Sequence, residues 1–237
     1  MTPSAREILG GIHGGRVLDV ATGTGGFVEM LVDGLADYDE IVGIDTDVAR
    51  GERFVETQAS RHGVRFEPRD AHATGYSDGA FDTVTISNSL HHFTDPSPVL
   101  AQMRRVLRPG GWLVVFEMVR DGQAPPQQTH VELHHWWAAV DTRRGIVHRE
   151  TYPREELLAL LAPLALEELC VTQVAFDEDD PLDPEALAEI DSVIDRYLGW
   201  TDGDPSLVAR GLELRRRLHE VGIANADSLA IVGRSLA

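Results

Sequence analysis

The feature that most constrains this chain is the segment Val17-Leu-Asp-Val-Ala-Thr-Gly-Thr-Gly-Gly-Phe27, where a short apolar run ends in an acid and enters a glycine-rich turn. Arg16 to Val20 is rich in β-branched residues and too short for a helix. Gly26 to Leu35 carries Phe27, Met30 and Leu31 at the spacing of one helical face. Between the two, Gly23 and Gly25 accept positive backbone dihedrals and carry no side chain, so a ligand can approach the main chain closely. The first N–H groups of a helix have no intrahelical partners and attract a negative group. The expectation is a nucleotide-type site at the end of the first strand of an open α/β sheet.

A dinucleotide fingerprint G-x-G-x-x-G beginning at Gly23 needs glycine or alanine at position 28, where Val28 stands. The run Asp19-x-Ala21-x-Gly23-x-Gly25 instead resembles motif I of class I S-adenosylmethionine-dependent methyltransferases, D/E-x-G-x-G-x-G, with Ala21 in place of the first glycine. The resemblance continues in chain order. Glu40-Ile-Val-Gly-Ile-Asp45 reads as a second strand ending in an acid, and a carboxylate there can accept from ribose hydroxyls. Val64 to Ala71 resembles the third strand and the adenine-binding turn. Phe81 to Phe93 resembles the fourth strand and the turn beneath the methionine part of the cofactor, and Leu107 to Phe116 the tight turn and fifth strand. The pattern spans residues 16–117 and is most similar to the methyltransferase type 11 branch that includes ubiquinone and menaquinone C-methyltransferases.

That resemblance implies a Rossmann-like α/β fold. Its sheet has seven strands, mostly parallel, with helices on both faces, an antiparallel last strand and helical insertions after strands five and six. It implies S-adenosylmethionine as cofactor and S-adenosylhomocysteine as product. Carried over residue by residue, it assigns Asp19, Ala21, Thr22, Gly23, Gly25, Asp45, Thr46, Asp70, Ala71, Ser87 and Asn88 to the cofactor, with Asp45 on the ribose, Asp70 on the adenine amino group and the Ala71 backbone against the ring. Read as residues alone, Asp45 and Asp47 are both competent helix N-caps, and Asp70 is equally a solvated loop acid. Ribose contact is favoured for Asp45 and capping for Asp47.

At 237 residues the chain suffices for a single methyltransferase domain over 1–237. The first residues lack the basic and apolar regions of a signal peptide, and no apolar stretch is long enough to span a bilayer, so a cytoplasmic protein is expected. A net charge of −18 opposes tight binding to nucleic acid or an anionic membrane, and the resemblance to the small-molecule branch implies a small-molecule substrate. The single cysteine, Cys170, falls in an apparent strand from Leu169 to Phe176; it has no internal disulfide partner and is expected in the core. One thiol also argues against arsenic methylation. Every basic residue is arginine, which excludes a catalytic lysine.

Two stretches, 118–151 and 180–224, are left over by the sheet and are expected to form a substrate cap. The first holds Thr129-His-Val-Glu-Leu-His-His-Trp-Trp-Ala-Ala-Val-Asp-Thr-Arg-Arg144, in which His130 and His134 share a helix face. Three readings compete: a chelating i,i+4 histidine pair, a plain structural helix with Trp137 in its core, and an acceptor pocket with tryptophan walls. The acceptor pocket is favoured and no metal is assigned. Candidate substrate residues are His92, His130, Trp136, Trp137, Arg143, Arg144, His148 and Tyr152. Candidate bases are His91, which follows the fourth strand, and His134 and His135. In the second stretch, Asp183-Pro184 and Asp204-Pro205 have the order of an N-cap followed by proline, with Gly199 and Gly222 at the far ends, so two helices are expected. The acidic run from Asp177 to Asp180 reads as a solvated connection. With only about fifteen residues before the first strand, any lid must come from these insertions or from a second subunit of a homodimer.

The expected chemistry is in-line displacement, in which an acceptor N, O, S or carbanion attacks the sulfonium methyl. Alignment and exclusion of water are the main contributions of the protein, and a base is needed only where the acceptor must lose a proton. Two other classes stand beside it: a noncatalytic cofactor-binding sensor or partner subunit, and a reaction that uses the same cofactor without methyl transfer.

Overall fold

The computed structural model describes residues 3–174 and 180–236. Seven strands form one sheet: β1 (Arg16–Val20), β2 (Glu40–Asp45), β3 (Val64–Pro68), β4 (Phe81–Ser87), β5 (Leu107–Met118), β6 (Glu167–Val174) and β7 (Ser228–Arg234). Their order is β3-β2-β1-β4-β5-β7-β6. The pairs among β1 to β5 are parallel, whereas β7 runs antiparallel to both β5 and β6. The order reverses direction beside β1, so the ends of β1 and β4 flank a crevice where open α/β sheets bind ligands.

Strand alternation divides the core in two. Val17, Ile41, Val114 and Phe116 point to the face covered by α1 (Ala5–Leu9), α2 (Gly26–Gly34) and α3 (Val48–Gln58). Leu18, Val20, Ile44, Ile86, Leu113 and Val115 point to the face covered by α4 (Ser97–Val106) and α6 (Arg154–Leu161). On α2 the buried residues are Phe27, Val28, Leu31 and Gly34, while Met30, expected on that face, is exposed. Arg108 to Gly111 loops out of the ladder between the Phe81–Leu107 and Thr83–Trp112 pairs, which lets α4 pass directly into β5.

A third core belongs to α5 (Pro125–Arg143), α7 (Pro184–Gly199) and α8 (Pro205–Val221), built from Leu133, Trp136, Val140, Leu187, Ile194, Leu214 and Leu218. The expected caps are present: Asp183 accepts from the N–H groups of Glu185 and Ala186, and Asp204 from those of Ser206 and Leu207. Gly211 brings α8 against α5, because a Cβ there would overlap the Trp136 ring.

Cys170 is exposed, contrary to the core placement expected for it. β6 is an edge strand of the sheet, and its residues 167–170 are all exposed. Phe176 and residues 177–179 of the acidic run lie outside the described residues. No helix among the described residues is long and apolar enough to cross a membrane.

Candidate cofactor and acceptor site

The glycine turn leaves β1 with three residues in the left-handed region: Ala21 at φ 54°, Gly23 at 56° and Gly25 at 90°. The two glycines serve different ends. A Cβ on Gly25 would stand 2.8 Å from the Phe54 ring, so that glycine is demanded by packing. A Cβ on Gly23 would meet only the tip of Arg50 at 4.0 Å, so the open space there lies on the ligand side of the turn. Ala21, where the motif has glycine, adopts the same backbone at a steric cost.

Asp19 is 1% exposed; one carboxyl oxygen accepts from the Thr85 hydroxyl at 2.7 Å, and Oδ2 has no protein partner. Burial pushes its pKa up to about 6. Asp45, at the end of β2, accepts from the Gly23 N–H at 3.0 Å through Oδ2 and from the Asp47 N–H at 2.9 Å through Oδ1. It thereby ties the second strand to the glycine turn and keeps lone pairs free for hydroxyl donors. Asp47 itself caps α3 through the Arg50 N–H. Thr22 is buried beneath this turn and Thr46 lies exposed beside it. Asp70 is exposed and accepts from the His72 N–H at 2.8 Å, which with the His72 side chain holds its pKa below the usual carboxylate range; Ala71 is buried next to it. An unpartnered buried carboxyl oxygen, an open glycine position and a strand-end acid fit a nucleoside-bearing cofactor.

The turn after β4 is shaped by Asn88. This residue also has a positive φ, 44°, and its side-chain oxygen accepts from the Met118 N–H at 2.8 Å, so it locks the end of β5. The Ser87 carbonyl accepts from the Ser89 hydroxyl, which also reaches the Ala21 carbonyl.

Beyond that turn the chain assembles a group of histidines. His91 is 1% exposed, and its Nδ1 lies 2.5 Å from Oε1 of Glu117, which is itself fully buried. The other Glu117 oxygen accepts from the N–H groups of Ser89 and Leu90, at 3.1 and 3.3 Å. The Arg149 N–H donates to the His91 carbonyl at 2.8 Å and straps the segment after α5 across the site. This delivers His148, whose Nδ1 lies 2.8 Å from Asp141 and whose Nε2 lies 3.3 Å from Nε2 of His134. His92 packs its ring 4.4 Å from those of both His91 and His148. Burial lowers the pKa values of His92, His134 and His148.

A cavity of about 640 Å³ adjoins His148 and is also lined by Arg120, His135, Arg149, Glu150 and Tyr152. The structure therefore brings together His91, His92, His134 and His148 in one cluster, with His135, His148 and Tyr152 on the cavity wall. Other expected substrate residues lie elsewhere. The His130 Nδ1 accepts from the Ala226 N–H at 3.1 Å, which removes it from any chelating pair with His134. Trp136, not Trp137, fills the helical core, and its Nε1 donates to the Leu207 carbonyl at 2.9 Å. Trp137 is half-buried against Tyr197 and His134. Arg143 pairs with Asp204, while Arg144 pairs with Asp141 and stacks on Trp200 at 4.1 Å. Both arginines stiffen the helical layer. Their place at the cavity is taken by Arg120 and Arg149, which the sequence did not single out. Glu117 and Asp141 were also missed; the one available signal was an acid interrupting the apolar run Val114-Val-Phe-Glu-Met118.

Residues 18–115 match a family model described as a methyltransferase domain. The chain is 44% identical over 107 residues to a demethylmenaquinone methyltransferase of Deinococcus radiodurans, a match that covers 43% of this chain and 42% of that protein. It is 34% identical over 114 residues to a ubiquinone/menaquinone biosynthesis C-methyltransferase of Stutzerimonas stutzeri, covering 47% and 44%. The chain thus spans about half the length of the curated relatives it matches. The whole fold is similar to a phosphoethanolamine N-methyltransferase of Haemonchus contortus solved with S-adenosylhomocysteine (TM-score 0.59, 15% identity, 98% of this chain and 51% of that one). It is also similar to the 4+2 cyclase SpnF (TM-score 0.63, 21% identity, 98% and 78%). Residues 18–115 of this chain thus match a methyltransferase domain, the curated relatives it resembles over about half their length are methyltransferases, and the chain shares its fold with the two solved structures.

Proposed function

We propose that this protein transfers the methyl group of S-adenosylmethionine to a small-molecule acceptor by in-line displacement and releases S-adenosylhomocysteine. The observation that carries this reading is the glycine turn beside the Asp45 carboxylate, with the unpartnered Asp19 oxygen beneath it. Asp45 would hold the ribose, Asp70 and Ala71 the adenine, and Asp19, Thr22 and Gly23 the methionine end. When bound, the cofactor supplies an electrophilic methyl on a sulfonium.

The acceptor would occupy the cavity between α5 and the strap that ends at Tyr152, with α5, α7 and α8 as the cap that excludes water. Arg120, paired with Glu150 at 2.9 Å, and Arg149 line this cavity and suit an acceptor with an oxygen-bearing polar end. The names of the relatives point to quinone-type rings as the first acceptors to try. His135 opens on this cavity, its Nε2 is 3.0 Å from the Thr151 hydroxyl, and burial lowers its pKa, so it is neutral at pH 7 and placed to receive a proton.

The test is calorimetric titration with S-adenosylmethionine and S-adenosylhomocysteine, followed by product analysis with methyl-labelled cofactor and a panel of ring-hydroxyl acceptors. Saturable binding that Asp45→Ala weakens about tenfold or more is expected, with label transferred to an acceptor. Absence of binding by folded protein rejects the cofactor site. Binding with no labelled product from any acceptor favours a role like that of a fold neighbour named for a cyclisation.

A further inference from the structure

We propose that His91, His92 and His148 form a binding site for one divalent transition-metal ion of the zinc, iron or cobalt type, with His134 beside it, its Nε2 3.3 Å from that of His148. Three separate parts of the chain supply these imidazoles: the turn after β4, helix α5, and the strap after it. Such convergence has no origin in local sequence. One donor atom from each of His91, His92 and His148 lies within 4.8 Å of the other two, so some point lies within about 2.8 Å of all three. A zinc–imidazole bond is about 2.1 Å, so each ring need advance by less than about 1 Å. The 3.3 Å separation of the His134 and His148 Nε2 atoms already matches the spacing of about 3.4 Å between ligands on a tetrahedral ion.

The surroundings orient the rings for this purpose. Glu117 lies on Nδ1 of His91 and Asp141 on Nδ1 of His148, at 2.5 and 2.8 Å. Carboxylates only accept, so each fixes the ring proton on Nδ1 and leaves the Nε2 lone pair directed inward, which is the arrangement that positions imidazoles on metals. Nε2 of His91 is buried without any partner, and so is Nδ1 of His134. A His–His hydrogen bond could use the facing nitrogens of His134 and His148, but it leaves Nε2 of His91 unsatisfied. A cation satisfies the inward lone pairs together. Nitrogen ligands without carboxylate in the inner set select zinc-like ions over magnesium or calcium.

His148 belongs both to this cluster and to the acceptor cavity, so an open position on the ion would face the acceptor. With three histidine ligands and the fourth position open, the ion would polarise an acceptor hydroxyl bound there. This last role rests on the methyl-transfer reading, whereas metal binding itself does not.

The experiment uses the full chain without an affinity tag, freed of metal by chelator and titrated separately with Zn²⁺ and Co²⁺ by calorimetry and visible absorption. One equivalent should bind, with Co²⁺ giving the visible bands of a low-coordinate nitrogen site. His92→Ala, at an exposed ligand, and His148→Ala should each weaken binding at least tenfold, and Asp141→Asn by about 10- to 100-fold. His62→Ala, at an exposed histidine far along the chain, should change nothing. S-adenosylhomocysteine titration of the same proteins reports folding and the cofactor site independently. Failure of wild type to retain one equivalent, or wild-type affinity in both ligand variants, would overturn the site. Loss of metal binding with intact cofactor binding separates the two readings.

Discussion

Glu117 should be the most expensive single side chain to truncate in the site. It is fully buried and accepts from three donors: the Ser89 and Leu90 N–H groups and the His91 ring. Glu117→Ala removes the acceptor shared by all three. With each orphaned donor costing about 1–3 kcal/mol, a loss of about 4 kcal/mol follows. At roughly 2–4 °C per kcal/mol for a chain of this size, the melting temperature should fall by about 8–16 °C. Glu117→Gln is a sharper probe. Its oxygen can keep both backbone donors, but its NH₂ then faces Nδ1 of His91, which must turn acceptor and move its proton to Nε2. Stability should drop by only about 1 kcal/mol, while the His91 tautomer reverses. Urea denaturation measures the first quantity, and nitrogen chemical shifts of labelled histidine the second. An alanine variant within about 1 kcal/mol of wild type, or a glutamine variant that keeps the original tautomer, would refute the reasoning.

Three further outcomes are expected. Asp19→Asn should stabilise the cofactor-free protein at pH 8 by about 3 kcal/mol, because a carboxyl whose folded pKa is about 6 loses stability as the pH rises through that value; the advantage should vanish by pH 4, and flat difference curves from pH-dependent denaturation would contradict it. Gly211→Ala should cost about 1–3 kcal/mol by driving a methyl into Trp136 and to 2.8 Å from Leu198, with S-adenosylhomocysteine affinity preserved in calorimetry; unchanged stability would mean that α8 can slide on α5. Ala21→Gly should be neutral or stabilising by up to about 1 kcal/mol, since it relieves a left-handed alanine, and a loss of that size in thermal denaturation would show that φ is not the controlling factor.

The mutual position of Asp141 and His148 illustrates what a sequence withholds. They are seven residues apart with a helix end and a turn between them, and only the strap bonded through Arg149 to His91 sets their rings and carboxylates in order. Trp136 and Trp137 are adjacent in sequence, and which of the two enters the core depends on where α8 lies, a matter of Gly211 some seventy residues away.

By itself the sequence determined what depends on local rules. Apolar runs of strand length and aspartate–proline caps mark the elements, and glycines at fixed offsets mark the turn after β1, because backbone sterics and capping act within a few residues. Tertiary structure alone decided what depends on contacts between distant segments. It exposed Cys170 on an edge strand, moved Arg143 and Arg144 from the acceptor to the helical layer, and placed Arg120 and Arg149 at the cavity. It also gathered four histidines against Glu117 and Asp141, since a buried polar group settles wherever the fold offers a partner, and no spacing along the chain encodes that partner.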